Sequence, residues 1–247
     1  MGAHTPPMRD EILRAARAEL AEVGPGALSM RSVARRVGVT VGALYRYFAG
    51  RDALLTELIV EAYDAVGAAA ERGADGVRGP VDAWVRSGLA VREWAIGHPY
   101  EFSLIYGTPV LGYDAPERTV VSATRLLEAL VGILVAGAGL GADSAESESA
   151  ETARAEEREL PEALRADLAR VREWLSGRTF PVDAERVPAR LIVGVVRAWT
   201  ELIGTVSFEL NGHYRNSMES GAAYLEHVLR LQAEGLGLDR AGCSRRA

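Results

Sequence analysis

Apolar residues in the first quarter of the chain recur at helical rather than strand spacing. Ile12, Ala16, Leu20 and Val23 share one face of a helix that Gly24-Pro25-Gly26 then breaks. Ser29 is placed to cap a second helix running to Val37, with Val33, Ala34 and Val37 along one side, and Gly38 closes it. Thr40 caps a third segment through Phe48. Asp52 falls in the first turn of a fourth, which Leu54, Leu55, Leu58, Ile59 and Ala62 continue.

After a polar joint at Gly73 to Pro80, a further helical run reaches Gly97. It stops at His98-Pro99, because the residue before proline is pushed out of helical geometry. Short segments surround Phe102 and Tyr106. Val120, Thr124, Leu127, Val131 and Leu134 then keep helical spacing while Leu126, Leu130 and Ile133 fill the flank, the pattern of a central helix buried nearly all round. Residues 139–159, rich in Gly, Ala, Ser and Glu, offer too little apolar surface to offset ordering and predict a mobile acidic loop. Periodicity resumes at Leu164, Leu168, Val171 and Leu175, breaks at Gly177 to Pro181, and runs again from Val187 to Leu210 and from Met218 to Gln232. No segment sustains period-two alternation. The reading is an all-α fold of roughly nine to ten helices: a three-helix head at 9–57, a larger helical body at 58–235, and flexible tails at 1–8 and 236–247.

Charge distribution sharpens this picture more than its sum does. The chain carries a formal charge of -6, which argues against a general polyanion binder. Between residues 31 and 51, however, stand Arg31, Arg35, Arg36, Arg46 and Arg51 with no acid among them. Every cation is arginine, whose planar fork suits phosphate oxygens. The single cysteine, Cys243, allows no internal disulfide, and no apolar run resembles a signal peptide, so a reducing cytoplasm is expected. The longest uncharged apolar stretch, Ala129 to Ala142, is too short and glycine-rich to predict a membrane span.

The basic window coincides with a helix, a three-residue turn and a helix, from Ser29 to Phe48. Small Ala34 lets the two helices cross closely, Gly38 supplies a left-handed turn, and Val39 plugs the angle between them. Leu44 and Phe48 face the core. Val41, Gly42, Ala43, Tyr45, Arg46 and Tyr47 face outward, where small residues allow close approach to base edges and tyrosine hydroxyls meet phosphates. Arg51 begins a helix whose dipole it opposes, an arrangement that a phosphate docked there would make favourable.

The string Val37-Gly38-Val39-Thr40-x-Gly42-x-x-Tyr45-x-Tyr47-Phe48-x-x-Arg51-x-x-Leu54 resembles the signature of TetR-type transcriptional regulators across residues 9–57. The resemblance implies a DNA-binding site of Ser29, Arg31, Thr40, Val41, Gly42, Ala43, Tyr45, Arg46, Tyr47 and Arg51, with Arg31 joining the third helix at the bases. Arg51 stands where the family more often has lysine. Trp199, Gly204 and Phe208-Glu209-Leu210 resemble the end of the WHG-type C-terminal domain, although Ile203 replaces the histidine before the glycine. The family implies a homodimer on a palindromic operator, because two recognition helices must reach major grooves roughly 34 Å apart. It also implies release by a small molecule.

Trp84, Trp94, Phe102, Tyr106, Trp199 and Phe208 form the candidate pocket for a largely apolar effector, and Met218, Gly221, Ala222, Leu225 and Val228 the candidate dimer interface. Gly137 to Ala142 fits the G-x-G-x-x-A form of a dinucleotide fingerprint, but a helical pattern precedes it where a strand is required. His4, His98, His213 and His227 lack ligand spacing, and no serine elbow or cysteine pair is present. Neither enzymatic activity, a metal nor a cofactor is expected.

Overall fold

The computed structural model describes residues 8–137, 157–178 and 183–239. Among these residues the chain forms ten α-helices and one 3-10 turn, with no strand. They are α1 (Met8–Ala27), α2 (Met30–Val37), α3 (Val41–Leu44), α4 (Arg51–Ala74), α5 (Pro80–Gly97), α6 (Pro99–Tyr106), α7 (Thr119–Gly137), α8 (Glu162–Ser176), the 3-10 turn Ala184–Arg186, α9 (Ala189–Leu210) and α10 (Gly221–Gly235). The all-α expectation holds, and the chain divides into two compact units.

The first unit takes residues up to 68 together with 94–125, so it is wider than the 9–57 segment read from the sequence. Its core gathers Ile12, Leu13, Ala16 and Leu20 of α1, Met30, Val33 and Ala34 of α2, Leu44 and Phe48, Leu54, Leu55, Leu58 and Ile59 of α4, and Leu104 of α6. Segment 105–118 is tied to α4 by polar contacts. Thr56 and Tyr113 share a hydroxyl hydrogen bond of 2.9 Å, and the Tyr63 hydroxyl donates to the Ile105 carbonyl at 3.1 Å. Burial pushes the Tyr63 phenol above its ordinary pKa.

The second unit takes residues 69–93 and those from 126 onward. Trp84 of α5 is fully buried, and its indole N–H donates to Gln232 Oε1 of α10 at 3.2 Å. Gln232 in turn donates to the Ala198 carbonyl of α9 at 3.1 Å, so one buried amide joins three helices. A Cβ at Gly88 would strike Leu229, which is why α5 and α10 can pack so closely.

Four readings need correction. Helix α7 is not buried all round: Leu126, Leu130, Val131, Leu134 and Val135 are buried, whereas Val120 and Val121 are exposed and Ile133 is half-buried. Periodicity reports apolarity, and an apolar face need not be covered within one chain. Residues 236–238 are no tail, because Leu236 and Leu238 are buried in the second unit. Glu157, assigned to the mobile loop, pairs side-on with Arg172 through bonds of 3.0 and 2.7 Å, while residues 139–156 of that loop lie outside the described residues. The last helix starts at Gly221 rather than Met218, after a turn in which Asn216 takes a left-handed φ of 62°.

Helices α7 and α9 are long and apolar enough to cross a membrane by length and composition alone. Core helices pass the same test.

Candidate nucleic-acid interface

The corner at residues 29–48 is built from local chemistry. Helix α1 is interrupted at Gly24, where φ 73° and ψ 169° turn the chain toward α2. Ser29 Oγ accepts the backbone N–H of Ser32 at 3.1 Å and satisfies one of the free donors at the start of α2. Gly38 closes α2 in a left-handed conformation, φ 82° and ψ 26°, and its N–H reaches the Ala34 carbonyl at 3.0 Å. Thr40 then caps α3 by accepting from Ala43 N at 3.3 Å. The oxygens of Ser29 and Thr40 therefore act as helix caps in the free protein.

Helix α3 is shorter than the segment to Phe48 that its periodicity predicts. After Leu44 the backbone tightens, with Arg46 N bonded to Ala43 O at 3.4 Å and Tyr47 N to Leu44 O at 2.9 Å, a 3-10 pattern. Leu44 and Phe48 are buried beneath it. Gly42, Tyr45, Arg46 and Tyr47 are exposed, and Val41 and Ala43 are half-buried at the edge.

The five arginines of the basic window fall into two groups. Arg31, Arg35 and Arg46 are exposed and make no ion pair among the described residues. Arg36, which is also exposed, and half-buried Arg51 are engaged by other groups of the protein. Arg36 donates Nε and Nη2 to Glu19 at 3.2 and 3.0 Å and Nη2 to Glu22 at 2.6 Å. The Ser32 hydroxyl and then Arg36 hold the buried Glu19 carboxyl below the usual range, against the opposing effect of burial.

In the free protein the Arg51 side chain is engaged internally. Its Nε donates to the Leu28 carbonyl at 2.9 Å and its Nη2 to the Pro25 carbonyl at 3.0 Å. The break at Gly24 leaves these carbonyls without helical donors, and the guanidinium fork spans them. In the free protein these carbonyl oxygens, with the Asp52 carboxylate 3.3 Å from Nη1, offset the cation at the start of α4.

On the flank, Glu57 accepts from Arg9 and from Arg118, each at 2.6 Å. Burial disfavours its charge, and the bonds from Arg118 and Arg9 outweigh this, so its pKa lies below normal.

Two family models match the chain. One, described as "Bacterial regulatory proteins, tetR family", covers residues 12–58, and the other, "Tetracyclin repressor-like, C-terminal domain", covers residues 84–231. The HTH-type transcriptional regulator Rv1816 of Mycobacterium tuberculosis is 31% identical over 213 residues, 84% of this chain and 82% of its own length, and Mb1846 of Mycobacterium bovis matches to the same extent. The crystal structure of the regulatory protein SCO4313 superposes with a TM-score of 0.69 at 28% identity, over 93% of this chain and all of that one. PfmR of Thermus thermophilus, 21% identical with a TM-score of 0.54 over 89% of this chain and 97% of its own, shares the fold.

The chain belongs to the TetR family. It is a DNA-binding transcriptional regulator, and the helix-turn-helix is its reading head. Two residues of this TetR-family head lie outside the DNA-binding set expected from the sequence: Arg35, a member of the basic window exposed beside Arg31, and Glu19, the buried acid that engages Arg36. Glu19 left one signal, an acid set beside Leu20 on the apolar face of α1.

The candidate pocket residues of this TetR-family chain are divided between the two units. Trp94, Phe102 and Tyr106 belong to the first unit, where Phe102 and Tyr106 are 5.2 Å apart between ring centroids. Trp84, Trp199 and Phe208 belong to the second, where Trp84 is core. The second unit has a cleft of about 880 Å³ walled by Ala74, Val77, Pro80, Ala83, Gly132 and Ile133, none of them foreseen. A smaller cleft of about 550 Å³ contains Phe208 with Tyr214, Tyr224 and Leu231.

Among the dimer candidates, Leu225 is fully buried and Gly221 lies against the Glu209 carboxylate, so both serve packing within the chain. Met218 and Ala222 are exposed and Val228 is half-buried. Val193 and Val196 of α9 and Leu231 of α10 are exposed apolar residues that the sequence reading did not assign.

Proposed function

We propose that this regulator is a cytoplasmic repressor that binds a palindromic operator as a homodimer and is released by a small, largely apolar ligand. The observation that carries the reading is the exposed reading face: Gly42, Tyr45, Arg46 and Tyr47 lie over the buried pair Leu44 and Phe48, beside exposed Arg31 and Arg35, which make no ion pair among the described residues. Small and polar groups at the start of α3 suit base edges, and the flanking cations suit phosphates. The apolar face of α9 and α10, with Val193, Val196 and Leu231, supports a second copy there.

The effector is assigned to the larger cleft of the second unit, whose walls are mainly aliphatic. Binding there biases the body toward a state whose paired heads no longer match the operator spacing. Selection of bound sequences from a random duplex pool tests the core of this reading. A recovered inverted repeat is the expected result. A single unrepeated half-site would remove the palindrome and the dimer together.

A further inference from the structure

The reading head contains a charged contact that neither the family match nor the proposed mechanism uses. Glu19 is buried on α1, yet its carboxylate faces α2, where Arg36 in the last turn donates to it and the Ser32 side chain in the first turn helps to hold its pKa down. Ser32 is itself part of the cap, since its hydroxyl donates to the Ser29 carbonyl at 2.8 Å. The last turn of α2 is thus tied to an acid of α1. Glu22, exposed one turn along α1, takes the remaining approach to Arg36 Nη2.

The consequence for DNA is electrostatic. Sequence-blind affinity depends on how many phosphates the protein neutralises, each contributing roughly 0.9 to the slope of log affinity against log salt. Arg36 lies in the basic window, but its Nε and Nη2 point to carboxylates, and the acids around it outnumber it two to one. We propose that Arg36 is a positioning residue rather than a phosphate contact, and that Glu19 and Glu22 withhold it from the duplex and so limit binding without regard to sequence. The head then presents Arg31, Arg35 and Arg46 to DNA, while Arg36 holds α2 at its angle to α1.

The test is salt-dependent binding of the full-length protein to a fluorescent 30-bp duplex of random sequence, with helical content checked by circular dichroism. Arg31→Gln serves as the control and is expected to flatten the slope by about 0.9 per head. Arg36→Gln is expected to leave the slope at the parent value. Glu19→Gln with Glu22→Gln frees Arg36 and is expected to tighten binding and steepen the slope by about 0.9 per head, which is about 3.5-fold more affinity lost between 50 and 200 mM salt. A purely structural role would lower stability without steepening the slope. If the double variant does not fold, Glu22→Gln alone carries the test, because that carboxylate is exposed, and a smaller steepening is expected. Flattening by Arg36→Gln equal to that of Arg31→Gln would overturn the proposal, as would an unchanged slope in the carboxylate variants.

Discussion

Replacing Gly38 by alanine isolates the energetic cost of the left-handed turn between α2 and α3. At φ 82° and ψ 26° an L side chain is strained, yet a Cβ built there meets nothing within 4 Å. The penalty is therefore conformational and free of clash, about 1–2 kcal/mol. For a chain of this size each kcal/mol moves the melting temperature by about 2–4 °C, so a loss of about 2–8 °C is expected by circular dichroism at 222 nm. Gly38→Asn should lose less, because asparagine tolerates the left-handed region. Gly132→Ala is the opposing control: it sits inside α7, has no positive φ and meets nothing within 4 Å, so alanine there should add about 0.5–1 kcal/mol. Melting of Gly38→Ala with the parent, or an asparagine variant as unstable as the alanine one, would refute the reasoning.

Other expectations follow from burial and capping. Leu225→Ala should cost about 2–5 kcal/mol because the side chain is fully enclosed; a loss under 1 kcal/mol in urea unfolding would mean that the site is not core. Leu231→Glu should leave the protomer folded but shift a sedimentation profile to the monomer, and an unaltered dimer would move the interface elsewhere. Glu19 and Glu57 have folded pKa values below their unfolded ones, so their stabilisation is complete above about pH 5 and is lost as pH falls through the lowered values. Melting at pH 3 to 6 should show Glu57→Gln flattening that dependence; an acid-side slope equal to the parent's would show that the pair is screened out.

The reading head was legible because its determinants are close in sequence. Ser29, Gly38 and Thr40 each act on backbone groups no more than four residues away, so composition alone places the caps and the turn. Partners distant in sequence were not legible. Arg51 reads as a phosphate ligand until the break at Gly24 brings the carbonyls of Pro25 and Leu28 beneath it, and nothing local to residue 51 announces them. Leu225 and Leu231 lie on one helix, yet the first is core and the second exposed, because periodicity does not say which apolar face its own chain covers. The larger cleft was invisible for a related reason: its walls come mainly from short aliphatic residues of α4, α5 and α7, which carry no aromatic signal to mark a pocket.

The division among the arginines also bears on how an acidic protein finds DNA. The whole chain carries -6, so the positive charge that attracts a duplex must be local and oriented. Two of the five cations in the basic window are fixed on carboxylates or carbonyls, which concentrates the remaining attraction on Arg31, Arg35 and Arg46 around α3. An acidic remainder and a small basic face together favour encounters in which the reading helix arrives first. Encounters in other orientations are repelled. On this view the acid content of the chain is part of its selectivity, and association with a duplex should slow steeply as salt screens the face.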